Sequence, residues 1–171
     1  MSELVAFFSR AGKNYVNGEI LNLDVGNTEL AAEFIQEATG AGLYKIEPVV
    51  AYSKDYSECI EEAKEDQRRN ARPALKHPFP DMEHYSVIYL GYPNYWGTMP
   101  MPVFTFLENC KLAGKTIRPF CTHEGSGMGH SVEDIKKLCP DSMVKTGLAL
   151  HGADIRFAKN TIIEWLKGDQ L

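Results

Sequence analysis

No apolar run in this 171-residue chain approaches the ~20 residues that a membrane-spanning helix needs. The N-terminal MSELVAFFSR has no basic leader, and its apolar stretch is too short for a secretory signal, so the cytoplasm is the expected compartment and no membrane partner is expected. Cysteine is scarce and scattered: Cys59, Cys110, Cys121 and Cys139 form no CxxC pair. That argues against a zinc or disulfide framework and for reduced thiols that pack. A basic excess is also missing. Lys and Arg number 18 against 23 Asp and Glu, and the net charge of −5 argues against nucleic acid as a partner. Repeats, linkers and low-complexity tracts are absent, and the length suits one domain, residues 1–171, with a sizeable core. Three signatures are wanting as well: the GxxxxGK[ST] phosphate loop, the GxGxxG dinucleotide turn and the GxSxG nucleophile elbow.

What is present is alternation. Apolar or β-branched runs occur at 4–8, 43–46, 87–92, 116–122 and 146–151, and only the second is short and charged, as an edge strand should be. Helical patterns lie between and after them. Leu30, Ala31, Phe34, Ile35 and Ala38 share one face, and Tyr56, Ile60, Ala63 and Gln67 mark a more exposed helix. Val103, Phe104, Phe106 and Leu107 mark a third helix. Val132, Ile135 and Leu138 mark a fourth, with Ser131 and Asp134 spaced like a capping box. Ile155, Ala158, Ile162 and Leu166 form the stripe of a C-terminal helix. Five strands alternating with five helices predict an α/β fold, a three-layer α/β/α sandwich around a parallel sheet.

One interval is too long. Residues 10–27, 18 in number, separate the first strand from its helix, where βα loops usually take about 2–6. Within them, an Asn-Gly pair sits between apolar residues in Tyr15-Val-Asn-Gly-Glu-Ile-Leu21, which is a hairpin signal. The insertion reads as a small β-arm beside the first loop, or else as a surface excursion.

Ligands of open parallel sheets bind outside the carboxyl ends of the strands, so the residues after strands one, three and four are the candidates. The first group is Ser9 and Arg10 with Asn27 and Thr28. Hydroxyls and amides at a helix N-terminus suit a phosphate, because the unpaired N–H groups and the helix dipole both favour negative charge. Ordinary N-capping by Asn27 or Thr28 is the plainer alternative. The second group is Pro93, Asn94, Tyr95, Trp96 and Gly97. Adjacent exposed aromatics are unfavourable unless a flat ring covers them or they tuck in as core. The third is Thr122, His123, Glu124, Gly125, Ser126 and Gly127, whose amides could stabilise negative charge on a ring. Metal ligation by His123, Glu124 and His130 matches no common ligand spacing.

The strand ending in FFSR, the GNT helix start, GYPNYWGTMP and PFCTHEGSG together resemble the flavodoxin-like family of FMN-binding proteins, over essentially the whole chain. The resemblance implies sheet order 2-1-3-4-5 and non-covalent FMN. Ser9, Asn27 and Thr28 would hold its phosphate with Arg10 nearby. Pro93, Asn94, Tyr95, Trp96 and Gly97 would line one side of the ring, and Thr122, His123, Glu124, Gly125, Ser126 and Gly127 would meet its pyrimidine end. The family's compact T/S-x-T-G-N-T loop is here split by the 10–27 insertion. The last strand runs straight into its helix, as in short-chain members. The implied function is electron transfer through FMN to redox partner proteins. The alternative is an FMN-dependent NAD(P)H oxidoreductase acting on quinones or other small acceptors, and a third reading is a binding module without redox work. The modest charge, with Arg10, Lys13, His123 and His130 beside Glu124 at the expected rim, bears on that choice.

Overall fold

The computed structural model describes residues 2–168. Five strand positions form one parallel sheet. β1 (Ser2–Phe7) lies between β4 (Gly42–Lys45) and β5 (Tyr85–Pro93), and β6 (Thr116–His123) follows β5. The last position is shared by β7 (Met143–Val144), paired to Thr116 and Ile117, and β8 (Leu148–His151), paired to residues 120–123. Counted by position, the order is the expected 2-1-3-4-5. The strand expected at 146–151 therefore starts earlier and breaks across 145–147.

Strand residues alternate between two cores, as a sheet buried on both faces requires. Leu4, Ala6, Ile88, Leu90 and Ile117 pack toward α3 (Met101–Asn109) and α4 (Ser131–Leu138), meeting Val103, Phe106 and Ile135. Val5, Phe7, Tyr89 and Phe120 pack the other way, against α1 (Asn27–Thr39) and α5 (Lys159–Gly168). Each such fully buried side chain contributes about 1.5–3 kcal/mol through removal from water.

Two helix expectations need correction. The C-terminal stripe is divided between a 3-10 helix (Gly152–Phe157) and α5, although Ile155, Ala158, Ile162 and Leu166 all remain buried. The Ser131/Asp134 capping box does not form. Ser131 Oγ donates to the Met128 carbonyl and accepts from the Tyr92 hydroxyl, while Asp134 receives Thr98 and His130. Burial of Ser131 behind Tyr92 outweighs its role as a cap.

Residues 10–27 hold a hairpin of β2 (Gly12–Val16) and β3 (Glu19–Leu23), paired antiparallel. Asn17 and Gly18 both take positive φ (52° and 87°), as the tight turn between right-twisted strands demands. α2 (Tyr56–Arg68), capped by Asp55 accepting the Glu58 amide, buries only Cys59 and Ala63. Among the described residues no helix is long and apolar enough to cross a membrane.

Candidate functional site

β1 delivers Ser9 and Arg10 to the carboxyl edge of the sheet, and α1 begins beside them. The N-cap of α1 is Gly26, which has no side chain with which to cap it. The close approach explains the glycine: a Cβ there would fall 2.2 Å from Ser9 Oγ and 2.7 Å from the Arg10 carbonyl oxygen. Ser9 acts as a cap from a distance, its Oγ accepting the Glu29 amide at 3.1 Å and keeping its own proton to donate. Neither Asn27 nor Thr28 caps the helix; they are its first two residues, so their amides have no partner in the preceding turn. The Thr28 hydroxyl is buried against the Thr122 hydroxyl at 2.8 Å. Arg10 is committed to the protein: it donates to the Ser53 carbonyl (2.8 and 3.1 Å), to Asn14 Oδ1 and to the Lys13 carbonyl. Its positive charge nonetheless stays at the site.

After β5 the two aromatics part company. Tyr95 turns inward into an edge-to-face cluster with Phe8 and Tyr52, its hydroxyl 3.9 Å from Cys59 Sγ. Burial pushes that phenol well above its ordinary pKa. Trp96 turns outward and is 47% exposed, its indole N–H donating to the Ile60 carbonyl and its ring lying 5.1 Å from Lys64 Nζ. Both residues nonetheless line one cavity. The turn that separates them needs positive φ at both Trp96 (54°) and Gly97 (90°). A left-handed tryptophan costs roughly 1–2 kcal/mol, a cost that concentrates at functional sites. Asn94 ties this loop to the next, donating to the Gly127 carbonyl and accepting the Gly97 amide.

The loop after β6 carries the titratable groups. His123 Nδ1 accepts the Gly125 amide at 2.9 Å, so the neutral ring keeps its proton on Nε2. Partial burial first, and neighbouring His151 second, hold its pKa below the usual value, with Glu124 opposing. Glu124 Oε2 accepts the Asn17 amide (3.1 Å) and lies 3.3 Å from His151 Nε2, while Oε1 is buried without a partner. His130 instead pairs with Asp134 at 2.8 Å, which separates it from His123 and Glu124.

These segments enclose a cavity of about 400 Å³, within the range of small-ligand sites. Ser9, Arg10, Asn27, Thr28, Pro93, Asn94, Tyr95, Trp96, Thr122, His123, Glu124 and Ser126 all line it. Gly97, Gly125 and Gly127 do not; each takes a positive φ in its loop.

The flavodoxin family model matches residues 3–168 of the chain. The protein belongs to the flavodoxin family. A structure described as a flavoprotein from Bacteroides eggerthii is 31% identical, covers 95% of this chain and 98% of its own, and superposes with a TM-score of 0.72. Another, from Bacteroides uniformis, is 27% identical over 97% of each chain, with a TM-score of 0.74. A flavoprotein from Lactobacillus acidophilus, solved in complex with FMN, shares the fold at 18% identity and a TM-score of 0.63, covering 91% of this chain and 97% of that one. No curated protein matches the chain.

In this member of the flavodoxin family, sequence reasoning missed one wall and one rim of the cavity. The wall is α2, whose Tyr56, Cys59, Ile60 and Ala63 face the ligand space. Its apolar stripe was visible, but a stripe does not say what it faces. The rim is the hairpin, which contributes Asn14 and Tyr15, with Gly152 beyond β8 closing the far side. Cys59 is a buried thiol whose pKa burial raises, so it lines the space as a packing group.

Proposed function

We propose that this chain binds FMN non-covalently in the cavity and passes electrons through it. The observation that carries the reading is the meeting of three loops, distant in sequence, around one space with the first turn of α1, where the Asn27 and Thr28 amides lack a cap. The donor set fits the cofactor. The amides of Asn27 and Thr28, the spare proton of Ser9 and the charge of Arg10 suit a phosphate. Pro93, Asn94 and the rings of Tyr95 and Trp96 suit one side of a flat ring, while Ile60 and Ala63 of α2 supply apolar wall. Thr122, His123 and Ser126 present polar atoms on the opposite side, and the orphaned acceptor of Glu124 matches a ligand rich in hydroxyl donors.

Bound FMN supplies the one- and two-electron chemistry. The chain's own residues bind, orient and set the local charge. Burial and His151 disfavour the charged form of His123, and its neutral ring, with Nδ1 taken by the Gly125 amide, offers an Nε2–H donor. Gly97, Gly125 and Gly127 act through the backbone: the Gly97 carbonyl accepts the His130 amide and the Gly127 carbonyl receives Asn94, which fixes loops two and three to each other.

The test is titration of the purified protein with FMN and with riboflavin, followed by flavin fluorescence. The Ser9→Ala, Thr28→Ala double variant should lose about tenfold or more in FMN affinity, near 1.4 kcal/mol, and little for riboflavin. Equal losses for both ligands would misplace the phosphate.

A second reading has one observation in its favour. Lys64 over the exposed Trp96 places a cation beside an aromatic shelf at the open side of the cavity, an arrangement suited to an anionic nicotinamide nucleotide. In that case the protein is an FMN-dependent NAD(P)H oxidoreductase reducing quinones or other small acceptors, rather than a carrier serving redox partner proteins. Steady-state oxidation of NADH or NADPH with a quinone separates the two; absence of turnover in a protein whose bound flavin accumulates a one-electron-reduced state on reductive titration leaves the carrier.

A further inference from the structure

The inserted hairpin does more than interrupt the first loop. It leaves β1 at Arg10, whose guanidinium is bonded to the Ser53 carbonyl just before α2, and Gly12 packs on Lys54. Tyr15 stacks on Tyr56, ring centroids 6.2 Å apart and planes 27° from parallel. The tip then reaches the opposite side of the site, where the Asn17 amide donates to Glu124 Oε2 across 107 residues of sequence. The arm therefore bridges from α2 to the loop after β6, with Asn14 and Tyr15 facing the cavity beneath it. Its landing point is the end of the cavity nearest α1: a Cβ on Gly152 would lie within 2.3 Å of Glu124 Oε1 and 2.7 Å of Asn27 Nδ2. A two-stranded hairpin of five-residue strands is marginal in water by itself. The position of this one depends on those few contacts, and β3 is exposed along nearly its whole length. Such an element opens at small cost compared with the sheet below it.

We propose that the hairpin is a lid over the α1 end of the cofactor pocket, latched by Tyr15 on Tyr56 and by Asn17 on Glu124, and that its opening gates cofactor exchange. Glu124 is the positioning residue that joins lid and pocket. One carboxylate oxygen holds the tip, and the other is the buried acceptor left for a hydroxyl of the ligand. Ligand binding at Oε1 and lid closure at Oε2 then draw on one side chain and favour the same orientation of it. The proposal rests on the reading that FMN occupies this cavity.

The experiment measures FMN exchange in stopped flow, by recovery of flavin fluorescence on dilution of the holoprotein and by quenching on remixing. Tyr15→Ala should speed release about fivefold to tenfold, the scale of one lost aromatic contact, and should also speed uptake, so the equilibrium affinity changes less than either rate. Tyr15→Phe should keep the native rates, because the stacking ring is retained. A chain in which two glycines replace residues 13–22 should show the largest acceleration of both. In hydrogen exchange, the Asn17 amide should be slower with FMN bound than without. Unchanged exchange rates in a folded Tyr15→Ala protein would overturn the lid, as would faster release with uptake unaltered, which describes a static wall. If the native protein takes up no FMN, the cofactor reading itself fails, and that outcome is distinct from either of these.

Discussion

Two helix ends in this protein meet opposite fates. At the carboxyl edge of the sheet, the N-terminus of α1 has a glycine N-cap and opens on a cavity, with only its Glu29 amide taken, by Ser9. At the amino edge, the C-terminus of α5 is closed by Arg118. This arginine, 5% exposed, donates to the carbonyls of Trp165 (2.7 Å) and Leu166 (3.4 Å). Its guanidinium also lies 4.5 Å from the Trp165 ring and 5.5 Å from the Tyr89 ring. A cation at a helix C-terminus satisfies orphan carbonyls and the dipole together. The difference teaches that polar groups at the closed end serve stability, whereas those at the open end are left over, which is what the proposed phosphate site requires.

The sharpest way to break this contrast is Arg118→Ala. It removes charge-assisted bonds, each worth about 1.5–3 kcal/mol, and leaves a cavity between two aromatic rings. The chain should lose about 3 kcal/mol or more in urea unfolding, while the folded fraction keeps its FMN affinity. A weakened FMN site in the folded protein would show that the two ends are coupled, and the contrast would be lost.

Gly26→Ala probes the open end. Its Cβ would overlap Ser9 Oγ and the Arg10 carbonyl, pressing the β1 loop away from α1. Stability should fall by about 1–3 kcal/mol, the range for an overpacked contact, and FMN binding should weaken at least tenfold, about 1.4 kcal/mol. Native binding isotherms for this variant would mean that the loop can move without harm, and that the cradle is not what holds the phosphate.

What could be read from the sequence follows the same division. Alternating runs gave the layers, and because all strands are parallel, three loops had to arrive at one edge; Asn17-Gly18 announced the hairpin. Contacts that depend on where two remote elements come to rest were not legible. Ser9 caps α1 across the insertion, Thr28 meets Thr122, and Asn17 meets Glu124. No local pattern encodes such pairs. Tyr95 and Trp96 look equivalent as letters, yet opposite backbone placement packs one against the core beneath the cavity and sends the other to the rim. The apolar stripe of α2 was visible, but its direction toward the cavity depends on contacts remote in sequence, such as Cys59 Sγ with the Tyr95 hydroxyl.

Trp96→Ala sharpens the account of that rim. Half-exposed and held in a left-handed conformation, Trp96 contributes little net stability, so unfolding should shift by less than about 1 kcal/mol. FMN affinity should fall about fivefold and flavin emission should rise, as the loss of one stacking partner requires. If emission and affinity stay native while stability drops by several kcal/mol, the ring belongs to the core and not to the ligand.

The smallest effect distinguishes a fixed charge from a titrating one. A guanidinium closes the helix end at Arg118, whereas at the open end burial first and His151 second disfavour the charged form of His123. Its folded pKa lies below 6.5, the ordinary value it regains on unfolding. As pH falls through 6.5 the unfolded chain therefore takes up a proton that the folded chain refuses, and stability declines until the lower folded pKa is reached. Below that point the contribution is constant. His123→Gln removes this proton uptake, so its urea midpoint should decline less between pH 7 and pH 5.5 than that of the native protein. A variant with an unchanged or steeper acid slope would place the responsible proton elsewhere in the molecule, and the open end would then be electrostatically as fixed as the closed one.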